Sequence, residues 1–312
     1  MPADRSPVLL LLDFDSTLTT RDTTSILASL GYQTRHTPPL PSWPFFVSTY
    51  RASFESHLGS YKPTSIDRTT LATEVEWQES LQGVERESIS RVEQAGVFKG
   101  LTRADIMLGA HEAVNSGDHV KMREGWIDLV LRVQRAGKTK VVSVNWSKLW
   151  VHQCLWNSDC EDEGLGIIRE EDIYANELEG LDAAEGSTGK ILASIVTGSD
   201  KARKIKEIVN SEEQGKRSFT TVYIGDSPTD LEALSCVDVG IWMVGDENER
   251  KRKKNAAAEL TRRIGWDYKP IKKFDWGYLK ATREHWKTLW WARNFTDVVE
   301  SRLEEAFREG EP

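Results

Sequence analysis

Four aspartates fall in two tight pairs along the chain. Asp13 and Asp15 are separated by one residue and followed by Thr17, and Asp226 and Asp230 are separated by three residues and preceded by Gly225. A lone aspartate behind a strand is an ordinary turn or helix-capping residue, and that reading holds for Asp13 taken alone. Two such pairs brought to one place would crowd like charges and raise their pKa values unless a cation neutralised them. Magnesium suits this set, because it takes a few carboxylate oxygens, retained waters and a substrate phosphate without needing histidine or thiolate.

Positioning these residues requires strands that end where the aspartates begin. The run Val8–Leu12 is short, continuous and apolar, which fits a strand buried on both faces of a parallel sheet. It stops at Asp13. Further strands are expected at 139–144, 220–224 and 237–242, with helix-like stretches between them, a pattern that implies a parallel, doubly wound α/β sheet. Ligands of such sheets bind outside the carboxyl ends of the strands. Asp13, Ser143 and Asp226 all fall at such ends.

Between the first two strands the pattern is helical, with a helix starting near Thr24 and Ser25. Another helix is expected over 201–209 behind a cap at Ser199, which puts Lys201 in its first turn. The resulting division is a Rossmann-like core at 1–19 and 123–245 with a helical cap at 20–122 inserted after the first strand. A C-terminal helical extension at 246–312, containing Trp286, Trp290 and Trp291, is expected to pack on the core.

The chain has 312 residues, 39% hydrophobic and 29% charged, with a formal charge of -8. That balance offers no general attraction to nucleic acid or to an anionic membrane, so any phosphate site must be built locally. Cys154, Cys160 and Cys236 are too few for a disulfide framework and match no zinc spacing, which fits a reducing compartment. No export signal or membrane span is visible, and a cytoplasmic location is expected. The basic run at 250–254 reads as a solvated helix face or as a nuclear localisation element.

The four motifs resemble the signature of the haloacid dehalogenase superfamily, and specifically its phosphatases. A D-x-D-x-T motif, a Ser or Thr closing the second core strand, a lysine on a later helix and a G-D-x-x-x-D motif all have counterparts here, in the family's order. The resemblance implies that Asp13 attacks phosphorus, while Asp15 protonates the leaving oxygen and then activates water against the aspartyl-phosphate. Ser143 would bond a phosphate oxygen. Magnesium would be held by Asp13, Asp226 and the Asp15 backbone carbonyl, with Asp230 holding metal-bound water or the lysine. That lysine is best matched by Lys201 in the first turn of its helix, with Lys204, one turn further on, as the alternative. An aspartate at position 15 is absent from the family's dehalogenases and ion-pumping ATPases, so its presence implies phosphate hydrolysis.

The insertion resembles the helical cap that phosphoserine phosphatase-like members carry between motifs one and two. Asp22 then aligns with an acidic residue that binds a substrate amine, and alternatively serves as a helix N-terminal carboxylate. Arg86 is either a cap-borne anion contact or a solvated side chain. Asn145 and Trp146 stand where the serine-phosphate branch has glycines and so add bulk beside the phosphate, although Trp146 also reads as core packing. A tryptophan in this motif is similar to the thiamine-monophosphate phosphatase branch of plants. The expected activity is therefore hydrolysis of a small phosphorylated metabolite, with no nucleic-acid or membrane partner. The rival readings are a phosphoprotein phosphatase and a non-catalytic scaffold that keeps the fold.

Overall fold

Val8–Leu12 forms strand β1, and all five of its residues are buried. Alternation along the strand sends Val8, Leu10 and Leu12 into one apolar cluster and Leu9 and Leu11 into a second. A strand covered on both faces has no solvent side for polar residues, which is why the run is unbroken. Each buried leucine stabilises the fold by about 1.5–3 kcal/mol relative to exposure. The computed structural model describes residues 6–34, 40–117, 119–159, 166–213, 218–245, 247–277 and 288–306, with the side chains of 247–252 outside the description.

Around β1 lie β2 (Lys138–Val142), β3 (Ile173–Tyr174), β6 (Thr220–Gly225), β7 (Val239–Met243), β8 (Asp267–Pro270) and β9 (Thr288–Ala292). They form one sheet in the order β3-β2-β1-β6-β7-β9-β8, and every pairing in it is parallel. The strands read from the sequence are present, with ends shifted by a residue or two. A short antiparallel pair, β4 (Glu177–Leu178) and β5 (Ile191–Leu192), stands apart from the sheet. In register, Leu12 faces Ile224 on one side and Val141 on the other. Asp13, Ser143 and Asp226 therefore emerge along one edge.

The expectation of a purely helical extension at 246–312 is corrected. Helix α10 (Glu247–Ile264) does open it, but β8 and β9 then extend the sheet, and Trp290 and Trp291 lie in β9. The signal was period two: Leu289 and Trp291 pack on one cluster, and Trp290 and Ala292 on the other. Aromatic side chains suit such a pleated, half-buried surface. Trp286 and Cys160 lie outside the described residues.

The segment after motif one folds into α1 (Thr24–Thr34), α2 (Trp43–Ser60), α3 (Leu71–Ser80), α4 (Gln82–Ala95) and α5 (Arg103–Asn115). Capping boxes at Thr70 and Thr102 start α3 and α5 by satisfying backbone N–H groups that have no partner within the helix. This insertion carries its own apolar cluster of Trp77, Leu81 and Val84, with Tyr50, Phe54 and Tyr61 packed against it. It is also tied to the C-terminal part of the chain. Buried Glu74 pairs with Arg68 Nε at 3.1 Å and with Arg263 of α10. The remaining helices are α6 (Trp126–Gln134), α7 (Lys148–Asp159), α8 (Gly198–Glu213), α9 (Leu231–Ser235) and α11 (Phe295–Val299). No described helix is long and apolar enough to cross a membrane.

Candidate active site

The Asp13 N–H continues the sheet by donating to the Ile224 carbonyl at 2.9 Å. The chain then makes one wide turn over Phe14–Leu18, closed by the Thr19 N–H donating to the Phe14 carbonyl at 3.0 Å. Ser16 sits there at φ 59, a left-handed conformation that serine seldom adopts. Arg123 holds the turn from beneath. Its buried guanidinium donates to the Thr17 carbonyl at 2.9 Å and to the Ser16 carbonyl at 2.8 Å. No sequence signal marked Arg123, because its acceptors are backbone atoms more than a hundred residues away.

Helix α8 delivers the lysine. Its cap is Thr197 rather than Ser199: Thr197 Oγ1 accepts the Asp200 N–H at 3.3 Å, while Asp200 Oδ2 takes the Val196 and Thr197 N–H groups at 3.0 and 3.1 Å. Lys201 in the first turn is buried, and its Nζ donates to Asp13 Oδ1 at 2.9 Å and to Asp230 Oδ1 at 2.7 Å. Lys204 is instead paired with Glu207 on the same helix. Two glycines permit the close packing. A Cβ at Gly198 would lie 2.3 Å from the Thr229 carbonyl oxygen, and one at Gly225 would lie 2.5 Å from Asp230 Cγ.

Asp13, Asp226 and Asp230 offer carboxylate oxygens that all lie within 4.8 Å of one another, and all three residues are buried. Burial pushes the Asp13 carboxyl up to about 8, with Lys201 opposing and the charges of Asp230 and Asp226 adding. Asp226 is likewise raised, first by burial, against the pull of Lys253. Asp230 goes the other way: burial disfavours its charge, but Lys201 and a full set of hydrogen bonds hold it below the ordinary range. Burial also disfavours the Lys201 charge, yet Asp13 and Asp230 keep its pKa above that of free lysine.

The donor set fits a hard divalent cation, which would offset the burial cost and the lesser like-charge repulsion that lift Asp13 and Asp226. Asp230 is the least suited ligand of the three. Its Oδ1 accepts from Lys201 and, at 2.6 Å, from the Tyr223 hydroxyl, and its Oδ2 accepts from the Asp226 and Ser227 N–H groups and from Ser227 Oγ. It therefore serves the lysine. Thr17 Oγ1 stands 3.1 Å from Asp13 Oδ2 and 3.4 Å from Asp226 Oδ1, between the two carboxylates best able to take the cation.

The Asp15 carboxylate turns away from that cluster, which leaves its backbone carbonyl as what it can offer a cation. Oδ1 accepts the Thr23 N–H at 2.8 Å and the Thr23 hydroxyl at 2.7 Å, and Oδ2 accepts Asn145 Nδ2 at 2.7 Å. Burial, and secondarily the Asp22 charge, push Asp15 up to about 6. Asn145, expected as a substrate contact, is placed here on Asp15 through its amide nitrogen. Its carboxamide oxygen accepts the Ser147 N–H at 3.1 Å, so the loop after β2 fixes which way the amide points. Trp150 Nε1 completes the group by donating to Thr23 Oγ1 at 3.0 Å. Ser143, fully buried at the end of β2, accepts the Asn145 N–H on its Oγ at 3.1 Å.

Beside this cluster lies a cavity of about 550 Å³ between the insertion and the strand ends. Val144, Gly198 and Thr229 form its core side, and Trp43, Phe46, Tyr50, Leu81 and Glu85 form its outer side. Trp146 lines it with its ring edge-on to Trp43 and Phe98, so it is both packing and wall. Asp22 also lines it, while its Oδ1 accepts the Thr24 N–H at 2.8 Å at the start of α1. Arg86 is exposed and does not line the cavity; the neighbouring Glu85 does, with the Tyr50 hydroxyl donating to it at 2.7 Å.

The family model for haloacid dehalogenase-like hydrolases matches residues 10–235. The chain is 26% identical over 249 residues to Cold tolerance protein 1 of Saccharomyces cerevisiae, covering 72% of this chain and 75% of that protein. It is 26% identical over 271 residues to the Bifunctional TH2 protein, mitochondrial, of Arabidopsis thaliana, covering 79% of this chain but 41% of that protein. Among solved structures, a phospho-aspartyl intermediate analogue of phosphoserine phosphatase matches with a TM-score of 0.44 at 17% identity, over 80% of this chain and 91% of that one.

Proposed function

The chain belongs to the haloacid dehalogenase-like hydrolase family, and on that premise we propose that it is a magnesium-dependent phosphatase acting on a small phosphomonoester. The observation that carries this reading is the buried Lys201 ammonium held between Asp13 and Asp230, with Asp226 converging on the same point. A scaffold has no need of three buried carboxylates around one lysine, since burying charge costs several kcal/mol per ion before pairing.

In this reading one Asp13 oxygen attacks phosphorus and the ester oxygen departs with its electron pair, taking a proton from Asp15. A carboxyl titrating near 6 is suited to give that proton and later to accept one. Water then attacks the aspartyl-phosphate as Asp15 takes its proton, which releases phosphate and restores Asp13. Lys201 and the Ser143 hydroxyl bind the transferring oxygens. Asp13, Asp226 and the Asp15 carbonyl would hold magnesium, which would supply charge neutralisation and orientation. The acceleration required, up to about 10²¹ for phosphate monoesters, needs all of these parts together.

The cavity supports a substrate class. Asp22 and Glu85 both line it, and among the described residues no Lys, Arg or His does. Gln78 lines it too, with its Oε1 buried and without a partner. Aromatic walls with acceptors and no cation suit an apolar leaving group that carries a positive charge, such as a thiamine or amino-alcohol phosphate. The test is a panel of phosphomonoesters assayed with magnesium and with excess chelator. Turnover of cationic esters only when magnesium is present is the expected result. Equal rates in chelator, or no turnover of any ester, would overturn the proposal.

A further inference from the structure

Helix α10 turns an apolar face to the core through Ala257, Leu260 and Ile264, spaced three and four residues apart. Lys253 lies four residues before Ala257 and so belongs to that same inward face. A buried site is costly for an ammonium unless it is paired. Here Nζ lies 2.7 Å from Asp226 Oδ2, and the two side chains are only 11% and 9% exposed. The helix is anchored at its far end as well, where Arg263 donates to the Arg68 carbonyl at 2.7 Å and pairs with Glu74. Lys253 therefore sits on a helix held by packing along its inward face and gripped by the insertion at its far end.

We propose that Lys253 is a built-in counter-ion that competes with the divalent cation for Asp226, keeping metal affinity low until phosphate arrives. This rests on the magnesium reading of the site given above. Charge counting gives the direction. With all three carboxyls ionised, as cation binding requires, Asp13, Asp226 and Asp230 carry three negative charges, and Lys201 and Lys253 return two, which leaves one. A divalent cation added to that cluster makes it net positive, a cost by like-charge repulsion that a phosphate dianion then removes. Without Lys253 the empty cluster keeps two negative charges and a free Asp226 oxygen, and both changes favour the cation. Lys253 thereby makes cation and phosphate binding depend on each other, as linkage requires.

The experiment is calorimetric titration of the substrate-free protein with magnesium chloride, beside magnesium-dependent shifts in Tm. It uses the wild type, Lys253→Met, which keeps the apolar stem, and Lys253→Gln as a second neutral variant should Met fold poorly. The neutral variants are expected to bind magnesium about tenfold tighter or more, and Lys253→Arg to bind like the wild type. Inorganic phosphate should tighten magnesium binding by a larger factor in the wild type than in Lys253→Met. Equal or weaker binding by both neutral variants would overturn the proposal while leaving the magnesium reading intact. Absence of magnesium binding in every form, with and without phosphate, would remove both.

Discussion

Lys201 and Asp13 lie 188 residues apart in sequence and meet at 2.9 Å inside the core, where Lys201 is 1% and Asp13 4% exposed. The lysine also spans to Asp230, so its removal would leave two buried carboxylates without their counter-charge. Loss of one partner from a buried pair usually costs about 3–5 kcal/mol. Lys201→Ala should therefore lower Tm and abolish turnover together. Lys204→Ala, which loses a surface pair with Glu207, should stay within about 0.5 kcal/mol of wild type and keep its activity. Comparable losses in the two variants would assign the role to another residue.

Asp13→Asn keeps the shape of the side chain but removes the nucleophile. Turnover should vanish while circular dichroism and Tm stay close to wild type, because the amide can still accept from Lys201. Retention of more than about a hundredth of wild-type kcat would argue against attack by Asp13.

Asn145 supports Asp15 through a 2.7 Å hydrogen bond and is 2% exposed. Its replacement by Ala should lower kcat roughly tenfold or more by loosening Asp15, with little change in KM, since misplacement of a reacting group costs rate and not binding. A rise in KM at unchanged kcat would return Asn145 to the substrate-contact role.

Asp22→Asn is to be read through two substrates. A generic aryl phosphate should be hydrolysed almost as well as by wild type, whereas a cationic ester should lose kcat/KM by roughly tenfold, equivalent to about 1.4 kcal/mol. If both fall together, Asp22 serves the start of α1, where it already accepts the Thr24 N–H.

The C-terminal strands have their own electrostatic clasp. Asp297 is held down at about 2; burial opposes its charge, but hydrogen bonds from Arg293 and Lys272 outweigh it. A carboxyl with a folded pKa below its unfolded value contributes stability above about pH 4 and loses it as pH falls toward 2. The gap in Tm between wild type and Asp297→Asn should be largest near neutral pH and close across that window. The underlying stability difference should amount to no more than about 1–2 kcal/mol, because Arg293 and Lys272 are half exposed and screened. A gap that does not change between pH 5 and 2 would assign the effect to packing.

Much of this protein is legible locally. An unbroken apolar strand followed by Asp13, Asp15 and Thr17, and the Gly225-to-Asp226-to-Asp230 spacing, specify the sheet edge and its carboxylates, because strand burial and turn chemistry act over a few residues. The same local reading favoured Lys201 over Lys204 from its place in the first turn of the helix, but only the fold shows Lys201 between Asp13 and Asp230 while Lys204 pairs with Glu207. It did not link Asn145 to Asp15 and missed Thr23, Arg123 and Tyr223, whose partners come from other parts of the fold or, for Tyr223, from the turn that brings Asp230 back to β6. The basic run at 250–254 read as a solvated face, yet Lys253 turns inward to Asp226. Trp290 and Trp291 looked helical until strand pairing assigned them to opposite faces of β9. Periodicity records how a segment meets solvent. Which buried polar group satisfies which other is decided when distant segments close on one another, and only the tertiary structure contains that pairing.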